Sequence, residues 1–483
     1  MKKLLTVAAV VLFTTVLIFA CKKAGENNST FESNDNRSAS VRDAVACDFI
    51  TLSGDITSNM TLSAANVYKL NGCVTVKSGV TLTIPAGTIL QGIKTTGAQA
   101  FLIVERNGRI VANGTATNPI IFTSDQPVGS RAPGDWGGIA FFGNSNNNNS
   151  NSLSVDMGCA PYIGGGTNNA DNSGIFKYVQ VHFAGSPANA TTTTRSALLL
   201  NSVGTGTAID HIQITNSLND GLAVFGGKVK LDNIFSYNQR RMDYQLSYGY
   251  QGNMQFIAAL RFTPSIVPPL SVYGMNISNH PSSLSATPIT KPVISNLTIL
   301  GPNYCGATSV STNYQYAVRF FNNGAAEMYN SVLSSFNGKG LLIDGQQAVN
   351  QTGLNNLQFS YNSFHNSAAS TFNFISGTSW SLSGGCGTSI ASWINGTGPV
   401  ACRETGNQLS VATLGYDASF CGNFCASGFS PNLVLGASSL LAPVYSWDTG
   451  SAFAHPNYRG AFGSTDWTQG WIAPCPGDVN YCI

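Results

Sequence analysis

Short runs of β-forming residues recur along the middle of this chain, separated by turns rich in glycine, asparagine and aspartate. Apolar residues near the starts of the first four runs lie 20, 18 and 19 positions apart, at Leu82, Leu102, Ile120 and Ile139. Strand-like units that repeat at such a spacing are typical of solenoids, in which one unit cannot bury a core without its neighbours. The gaps between these runs are too short for the helical crossovers of a doubly wound α/β fold.

A later series has the same character and includes IDHIQITNS from Ile209, VKLDNIFSYN from Val229 and LQFSYNSFHN from Leu357. We therefore predict an all-β chain with a parallel β-helix over residues 46–370, in which each turn of the chain forms one rung. Inward Val, Ile, Leu and Phe would stack in columns, with Gly and Asn at the corners. Charged residues make up 10% of the chain, which suits rungs about 4.8 Å apart, where like charges would accumulate.

A sandwich or a propeller is the alternative all-β interpretation. Its test is a tight hairpin turn between two matched alternating runs. Asn107-Gly108 and Asn71-Gly72 are the two hairpin candidates, whereas most other connections are longer and irregular.

The first 45 residues predict export and attachment to a membrane. Lys2 and Lys3 precede an apolar run that ends at Ala20, which is typical of a signal peptide over residues 1–20. Cys21 follows directly and is the expected site of lipidation, and the polar residues 21–45 would form a flexible tether. We expect a lipid-anchored protein of the outer membrane or cell surface. An uncleaved anchor helix is the alternative, because this run of 17 mostly apolar residues is near the lower limit for spanning a bilayer.

Ten cysteines remain after Cys21, and an even count in an exported chain favours disulfides. Six of them follow residue 380, so we expect residues 371–483 to form a disulfide-stapled, partly irregular C-terminal cap or small subdomain, with one short helix around residues 390–395. Cys47 is expected to reach Cys73 and to help close the first end of the stack. Cys421 and Cys425 resemble half of a zinc site, but no second pair accompanies them, so no metal is predicted.

Four stretches of the chain together resemble a family of uncharacterised Bacteroidota cell-surface lipoproteins with a pectate-lyase-like fold. The stretches are GVTLTIPAGTIL, GDWGGIAFFG, NDGLAVFGGKVKLDNIFSYN with YGYQGNMQF, and YRGAFGSTDWTQGW, which span residues 79 to 471. The resemblance implies a right-handed parallel β-helix and an exported location. It implies no activity, because that family has no settled biochemical role.

The segment after the FGG turn departs from this family. It is usually acidic there, whereas this chain has Gln239-Arg240-Arg241-Met242-Asp243. A lyase of the pectate type needs clustered Asp residues for Ca2+ and an Arg or Lys as the base. Asp220, Arg240, Arg241 and Asp243 supply these residue types and are the weak catalytic candidates. The alternative is a ladder of salt bridges between rungs, in which the arginines neutralise the aspartates and no cation site forms.

Glycoside hydrolysis is a second enzymatic hypothesis and needs two carboxylates about 5 to 9 Å apart. The five histidines lack the sequence context of the β-helical hydrolases. Asp210 and His211 resemble a catalytic pair, but alternation in IDHIQI makes Ile209 and Asp210 face opposite ways, and a surface-facing histidine is the plainer interpretation.

Aromatic residues supply the candidate binding surface. Trp136 lies between glycines in GDWGG, where it would stack on a sugar or plug a turn. Tyrosines are densest beside Arg240 and Arg241, and rings next to guanidinium groups suit a glycan or protein surface, although ordinary packing between rungs is the alternative. These tyrosines are Tyr237, Tyr244, Tyr248 and Tyr250.

The chain has 24 basic and 22 acidic residues, and loss of Lys2 and Lys3 with the leader leaves 22 of each. Without a basic field, a nucleic acid partner is not expected. We predict a surface-anchored binding module for a glycan, a peptide or an outer-membrane protein, without a required cofactor. A polysaccharide lyase or glycoside hydrolase, with Ca2+ as the cofactor of the lyase, is one alternative, and a structural adhesin is another.

Overall fold

Alternating apolar residues favour short extended segments, and the computed structural model has 28 strands and two short helices within its described residues. The structure describes residues 49–481 apart from 97–98, 187–194, 262–270, 305–310, 335, 337–338, 366–371, 375–388, 399–403, 412–413, 417–432 and 435–442. The predicted signal peptide, Cys21 and the tether therefore lie outside the described residues.

In chain order, the first strands are β1 (Phe49–Ile56), β2 (Met60–Thr61), β3 (Val67–Val76), β4 (Thr81–Ile84), β5 (Ile89–Gly92), β6 (Phe101–Val104), β7 (Arg109–Asn113), β8 (Ile120–Ser124), β9 (Gly138–Phe142), β10 (Leu153–Asp156), β11 (Pro161–Gly164), β12 (Gly174–His182), β13 (Leu198–Asn201) and β14 (Ala208–Thr215). The later strands are β15 (Leu222–Phe225), β16 (Lys230–Tyr237), β17 (Tyr244–Ser247), β18 (Asn253–Leu260), β19 (Val272–Ser278), β20 (Val293–Leu300), β21 (Tyr314–Phe321), β22 (Glu327–Tyr329), β23 (Val332–Ser334), β24 (Lys339–Asp344), β25 (Gln358–Ser360), β26 (Ser363–His365), β27 (Phe372–Phe374) and β28 (Gln408–Val411). The helices are α1 (Gln346–Gly353) and α2 (Ile390–Ile394), and α2 confirms the predicted short helix.

Twenty-six of these strands form one sheet, and the pairings within it are parallel. Each long strand lies between the strand one turn earlier and the strand one turn later, as β14 lies between β12 and β16. A parallel sheet whose successive neighbours are one turn of chain apart is a coil of stacked rungs. The predicted all-β class and the parallel β-helix are confirmed, and the right-handed sense of the coil stays a prediction.

The hydrophobic core is a set of inward columns that run along the stack. One column contains nine residues from nine successive rungs, each exposed by 3% or less: Ile84, Ala112, Phe176, Ile209, Leu231, Met254, Ile294, Met328 and Phe359. Contact between neighbouring rungs buries each of these side chains, so no rung is stable alone.

The predicted period of about 20 residues is wrong as a measure of one rung. Leu82 pairs with Ile110 on the next rung, whereas Leu102 lies on another strand of the same turn and pairs with Ile139. The regular intervals in the sequence therefore join strands on different sides of the coil. Each turn contains about three strands and insertions of variable length, so the spacing between similar strands is not the length of a rung.

Left-handed backbone conformations mark the corners of the coil. One residue per rung adopts a positive φ between 48° and 61° at the same corner on seven successive rungs: Tyr178, His211, Asn233, Phe256, Asn296, Asn330 and Tyr361. Asn107 also has a positive φ, of 68°, but β6 and β7 on either side of it pair with other rungs and not with each other. Asn71-Gly72 lies inside β3. Neither hairpin candidate is a hairpin.

One side of the coil is covered by an antiparallel hairpin formed by β10 and β11. Leu153, Val155 and Met157 of this hairpin pack on outward apolar residues of β6 and β9, such as Phe101 and Phe142. A disulfide between Cys73 and Cys159 ties the hairpin to an early rung. The predicted pairing of Cys47 with Cys73 is therefore wrong, because Cys73 is bonded to a residue 86 positions later. We name this side the hairpin face.

A second side is covered by the C-terminal segment, residues 443–481, which we name the strap. Side-chain amides of the coil bind its backbone at widely separated rungs: Gln255 bonds Ala454 in both directions, at 2.7 and 2.8 Å, and Gln213 does the same with Ala473. Gln91, near the start of the coil, donates to the carbonyl of Tyr481. The strap thus lies along the side of the stack, and the interpretation of this region as an end cap does not fit residues 443–481.

The sheet also continues beyond the predicted boundary at residue 370. β27 pairs with β24, and β28 pairs with β26, so at least two further strands extend the stack. Cys475 in the strap is disulfide-bonded, whereas the other cysteines predicted to staple this region lie outside the described residues.

Candidate functional site

The third side of the coil carries half-exposed polar side chains in rows, and we name it the open face. It is formed by the first halves of β12, β14 and β16, and it ends at β18, where Gln255 is buried and bonds to the strap. In β14, the burial pattern has Ile209 in the core, whereas Asp210 points outward. Apolar residues on the other two sides are covered by the hairpin and the strap, whereas polar side chains of the open face stay partly exposed.

A charged row crosses three successive rungs of the open face. Lys177 pairs in register with Asp210, and Asp210 with Asp232. The Lys177 ammonium lies 2.7 Å from Asp210, and that of Lys230 lies 2.9 Å from Asp232. These four side chains are between 23% and 46% exposed.

The corner beside this row brings Asp210 and His211 together. His211 has a φ of 54°, and this left-handed turn breaks the alternation of β14, so that His211 follows Asp210 on the outside. The Nδ1 atom of His211 lies 2.5 Å from the Asp210 carboxylate. Ile209 and Asp210 lie on opposite sides of the strand, as their alternation predicts, but alternation alone does not predict the contact between Asp210 and His211.

Aromatic rings surround His211. The ring of Tyr178, one rung earlier, stacks on the imidazole at 4.3 Å between centroids. Trp471 and Trp467 of the strap meet the imidazole edge-on, at 5.7 and 6.0 Å. We name Lys177, Tyr178, Asp210, His211 and Asp232 the histidine corner.

The pKa values of the two carboxyl groups in the histidine corner are shifted in opposite directions. Burial acts to raise the pKa of the Asp210 carboxyl, but hydrogen bonds from His211 and Lys177 outweigh it, and the net pKa is lowered. Burial raises the pKa of Asp232, although the bond with Lys230 opposes it. The Lys177 pKa is raised, mainly by its hydrogen bond with Asp210. The corner thus offers an anion, a cation and an imidazole side by side.

The weak catalytic candidates lie at a different corner, between β16 and β17. Asp243 is fully buried and accepts from Ser236 at 2.7 Å and from Arg261 Nε at 2.7 Å. Asp220 is also buried, accepts from the backbone of Met242, and lies 3.7 Å from Arg241. Burial raises the pKa of both carboxyls, with Arg261 and Arg241 opposing it. This is the ion-paired arrangement of the alternative interpretation, and we name Asp220, Arg240, Arg241, Asp243 and Arg261 the arginine corner.

Sequence reasoning named Arg240 and Arg241 as the neutralising arginines, and only Arg241, which lies 3.7 Å from Asp220, has that place among the described residues. Arg261, which it did not single out, pairs with Asp243, and the side chain of Arg240 has no hydrogen bond or ion pair among the described residues. Arg261 directly follows β18, which is one rung later in the stack than β16. Its contact with Asp243, 18 positions earlier in the chain, therefore has no signal in the local sequence.

The predicted aromatic residues are mostly inside the molecule. Trp136 is fully buried and donates from its indole to the carbonyl of His182 at 2.8 Å, which matches the plug interpretation. Tyr244 and Tyr250 are fully buried in the core, and their hydroxyls donate to carbonyls. Tyr237 is buried beneath the strap, and Tyr248 alone among the five is half-buried. A binding role for these five side chains stays a prediction.

Neither a metal site nor a membrane-spanning helix is present in the part of the chain that the structure describes. No group of three or more His, Cys, Asp and Glu side chains in it has an arrangement that would hold a metal ion. No helix in it combines the length and the apolar character needed to cross a bilayer. Cys21, the predicted lipidation site, lies outside it.

Comparison with known proteins identifies the fold family. Residues 54–397 match the family model of the pectate-lyase-like beta helix domain. No curated protein matches the chain. Among solved structures, the chain is similar to the Dettilon tailspike protein, with 11% identity and a TM-score of 0.23 over 68% of this chain. The chain spans 61% of that protein's length, and so distant a likeness carries no functional argument.

Proposed function

Because the chain belongs to the family of pectate-lyase-like β-helix domains, we propose that it is a binding protein that holds a glycan along its open face. The observation that carries the proposal is the histidine corner, where partly exposed Lys177, Asp210, His211 and Asp232 stand on three successive rungs of the open face, with two tryptophans of the strap beside His211.

Sugars are bound by hydrogen bonds to their hydroxyl groups and by contact of their apolar faces with aromatic rings. Carboxylates accept these bonds, ammonium groups donate them, and an imidazole does either. Rungs about 4.8 Å apart repeat such groups in a straight line, which suits an extended polymer more than a compact ligand.

The proposal includes attachment to the cell surface through lipid on Cys21. It is supported by the charged and apolar leader before Cys21 and by the polar tether after it. Labelling cells with a fatty-acid analogue should modify the wild-type protein but not Cys21→Ser, and protease treatment of whole cells should release the body if the anchor faces outward. Equal labelling of both proteins would remove lipidation from the proposal.

The glycan proposal is tested with the protein beginning at residue 46 on an array of neutral and acidic polysaccharides. We expect binding that falls at least tenfold in His211→Ala and in Lys177→Ala, because each removes a half-exposed polar group. Thr81→Ala, on the same face but three rungs from His211, serves as the control. An array without any bound glycan, or equal losses in the control, would contradict the proposal, and a pull-down from solubilised outer membranes would then test a protein partner.

A carbohydrate-active enzyme is the second candidate, and the lowered pKa of Asp210 beside the raised pKa of Asp232 favours it. Acid–base chemistry needs one group that releases a proton and one that accepts it. Incubation with uronate polymers, with and without Ca2+, should give unsaturated products if the chain is a lyase. New reducing ends without unsaturated products would instead indicate hydrolysis.

A further inference from the structure

The arginine corner contains more positive than negative charge. It contains three arginines, Arg240, Arg241 and Arg261, and two aspartates, Asp220 and Asp243. Arg261 forms an ion pair with Asp243, in which Nε lies 2.7 Å from Oδ2. Arg241 is the arginine near Asp220. One positive charge therefore remains, and it belongs to Arg240.

The side chain of Arg240 is unsatisfied in the described part of the molecule. Its Nε atom is buried from solvent and has no hydrogen-bond partner. Neither a carboxylate nor an aromatic ring is paired with its guanidinium group among the described residues, although the Tyr314 hydroxyl is within its electrostatic reach. A buried donor on a charged group costs free energy unless an acceptor meets it, so this donor is an observation that needs an explanation.

The backbone that carries Arg240 is held in place on both sides. The Arg240 amide donates to the carbonyl of Ser217 at 3.0 Å. Arg261 bonds the two flanking carbonyls, reaching Gln239 O at 2.7 Å and also Arg241 O. A cation on a turn that is fixed in this way loses little conformational freedom when it binds a ligand.

We propose that Arg240 is the anchor of an oxyanion-binding site, which takes a carboxylate, sulfate or phosphate group. The planar guanidinium fork matches two oxygens of such a group and offers its unsatisfied Nε as one of the donors. The site belongs to the corner between β16 and β17, so it is separate from the histidine corner and does not rest on the proposed glycan function. The two acidic neighbours are already paired, and therefore they do not neutralise Arg240.

The test uses the purified full-length chain in detergent, with sodium sulfate, sodium phosphate and sodium glucuronate as separate probes, against sodium chloride of equal ionic strength. Calorimetric titration should detect binding of at least one probe, and the three arms distinguish the kinds of oxyanion. We expect Arg240→Gln to weaken that binding at least tenfold. Arg240→Lys should weaken it less, because it keeps the charge but loses the planar fork. Arg109→Gln removes an equally charged but exposed side chain from another rung and should bind as the wild type does.

Stability without any probe supplies an independent readout. If Arg240 carries an uncompensated charge, Arg240→Gln should leave the melting temperature in chloride unchanged or raised, whereas loss of a structural contact would lower it. Binding that is unchanged in Arg240→Gln, or equally weakened in Arg109→Gln, would overturn the proposal. So would the absence of binding by all three probes together with a lowered melting temperature of Arg240→Gln.

Discussion

Close packing around Trp136 shows how single residues fix the early rungs. The indole is fully buried, and the glycines near it leave the room that neighbouring rings occupy. A methyl group on Gly92 would lie 2.4 Å from Cβ of Trp136, and one on Gly137 would lie 2.1 Å from the ring of Phe101. Gly137 of GDWGG therefore has no side chain because the ring of Phe101, on the preceding rung, occupies that space.

Gly137→Ala should therefore destabilise the protein by about 1–3 kcal/mol, the usual cost of overpacking a core. Gly450→Ala is the matched control, because a methyl group there would meet nothing within 4 Å, and it should change the free energy of unfolding by less than about 0.5 kcal/mol. Urea unfolding of both variants measures these values. Equal stabilities would show that Phe101 moves aside without cost.

His182 is a buried titratable group on the strap side of the coil. Burial, together with a smaller effect of the nearby Arg131 charge, lowers the pKa of its imidazole to about 3. Its Nε2 atom is 3.1 Å from Gln180, and its Nδ1 atom is buried without a hydrogen-bond partner. The ring is therefore neutral in the folded protein across the physiological range.

This depressed pKa predicts a loss of stability in acid. In the unfolded chain the histidine takes up a proton near pH 6.5, whereas the folded protein does so only near pH 3. As pH falls between these values, protonation favours the unfolded state by up to about 1.4 kcal/mol per pH unit. Urea unfolding at pH 7 and pH 5 should show a smaller loss for His182→Phe than for the wild type. The same loss in both proteins would assign the acid sensitivity to other groups.

Residue-scale prediction succeeded where alternation holds and failed where the backbone turns left-handed. Ile209 and Asp210 lie on opposite sides, as their pattern predicts. His211 does not continue that pattern, because its positive φ places it beside Asp210. A left-handed histidine or tyrosine has no reliable signal in a single sequence, whereas the asparagines of the same corner do.

At the scale of elements, two added segments decide which sides of the coil meet solvent. Outward residues of the hairpin face and the strap side are apolar, and they are buried only because β10–β11 and the strap lie on them. Detached from these segments, the coil would present large apolar patches. The Cys73–Cys159 disulfide is the covalent tie of the hairpin to its face.

Replacement of both bridging cysteines by serine should destabilise the protein by about 2–4 kcal/mol, since the bridge restricts the unfolded chain across 86 residues. The hairpin face would also open more often, which binding of a hydrophobic dye should report. The unbridged variant and the wild type are compared in urea without reductant. A wild-type unfolding midpoint together with unchanged dye binding would show that packing alone holds the hairpin.

The strands could be predicted because each has its own apolar alternation. The position of the strap could not be predicted in this way. Residues 443–481 have no β-strand pattern, and their place depends on bonds to Gln91, Gln213 and Gln255, which are up to 390 positions distant. The histidine corner needs the strap as well, since Trp467 and Trp471 reach His211 only from it. Long-range contacts of this kind leave little trace in local composition.

At the scale of the whole molecule, the strap connects rungs that are not neighbours in the stack. In a simple solenoid each rung contacts only its neighbours, so unfolding can begin at an end and proceed rung by rung. Here one segment contacts rungs from Asn330, which bonds Val444, to Gln91, which bonds Tyr481. Loss of a single rung would also break strap contacts elsewhere, and this couples distant rungs energetically.

We therefore expect the described body to unfold in one cooperative transition that depends on the strap. Leucine in place of both Gln213 and Gln255 removes four bonds to the strap backbone while keeping side-chain bulk. In urea followed by circular dichroism, this double variant should have a lower midpoint and a smaller slope, because a smaller slope indicates that two-state behaviour is lost. Gln347→Leu, at an exposed position of α1, controls for the change of side chain and should unfold as the wild type does. A double variant with the wild-type slope would mean that the rungs are coupled through the core columns alone.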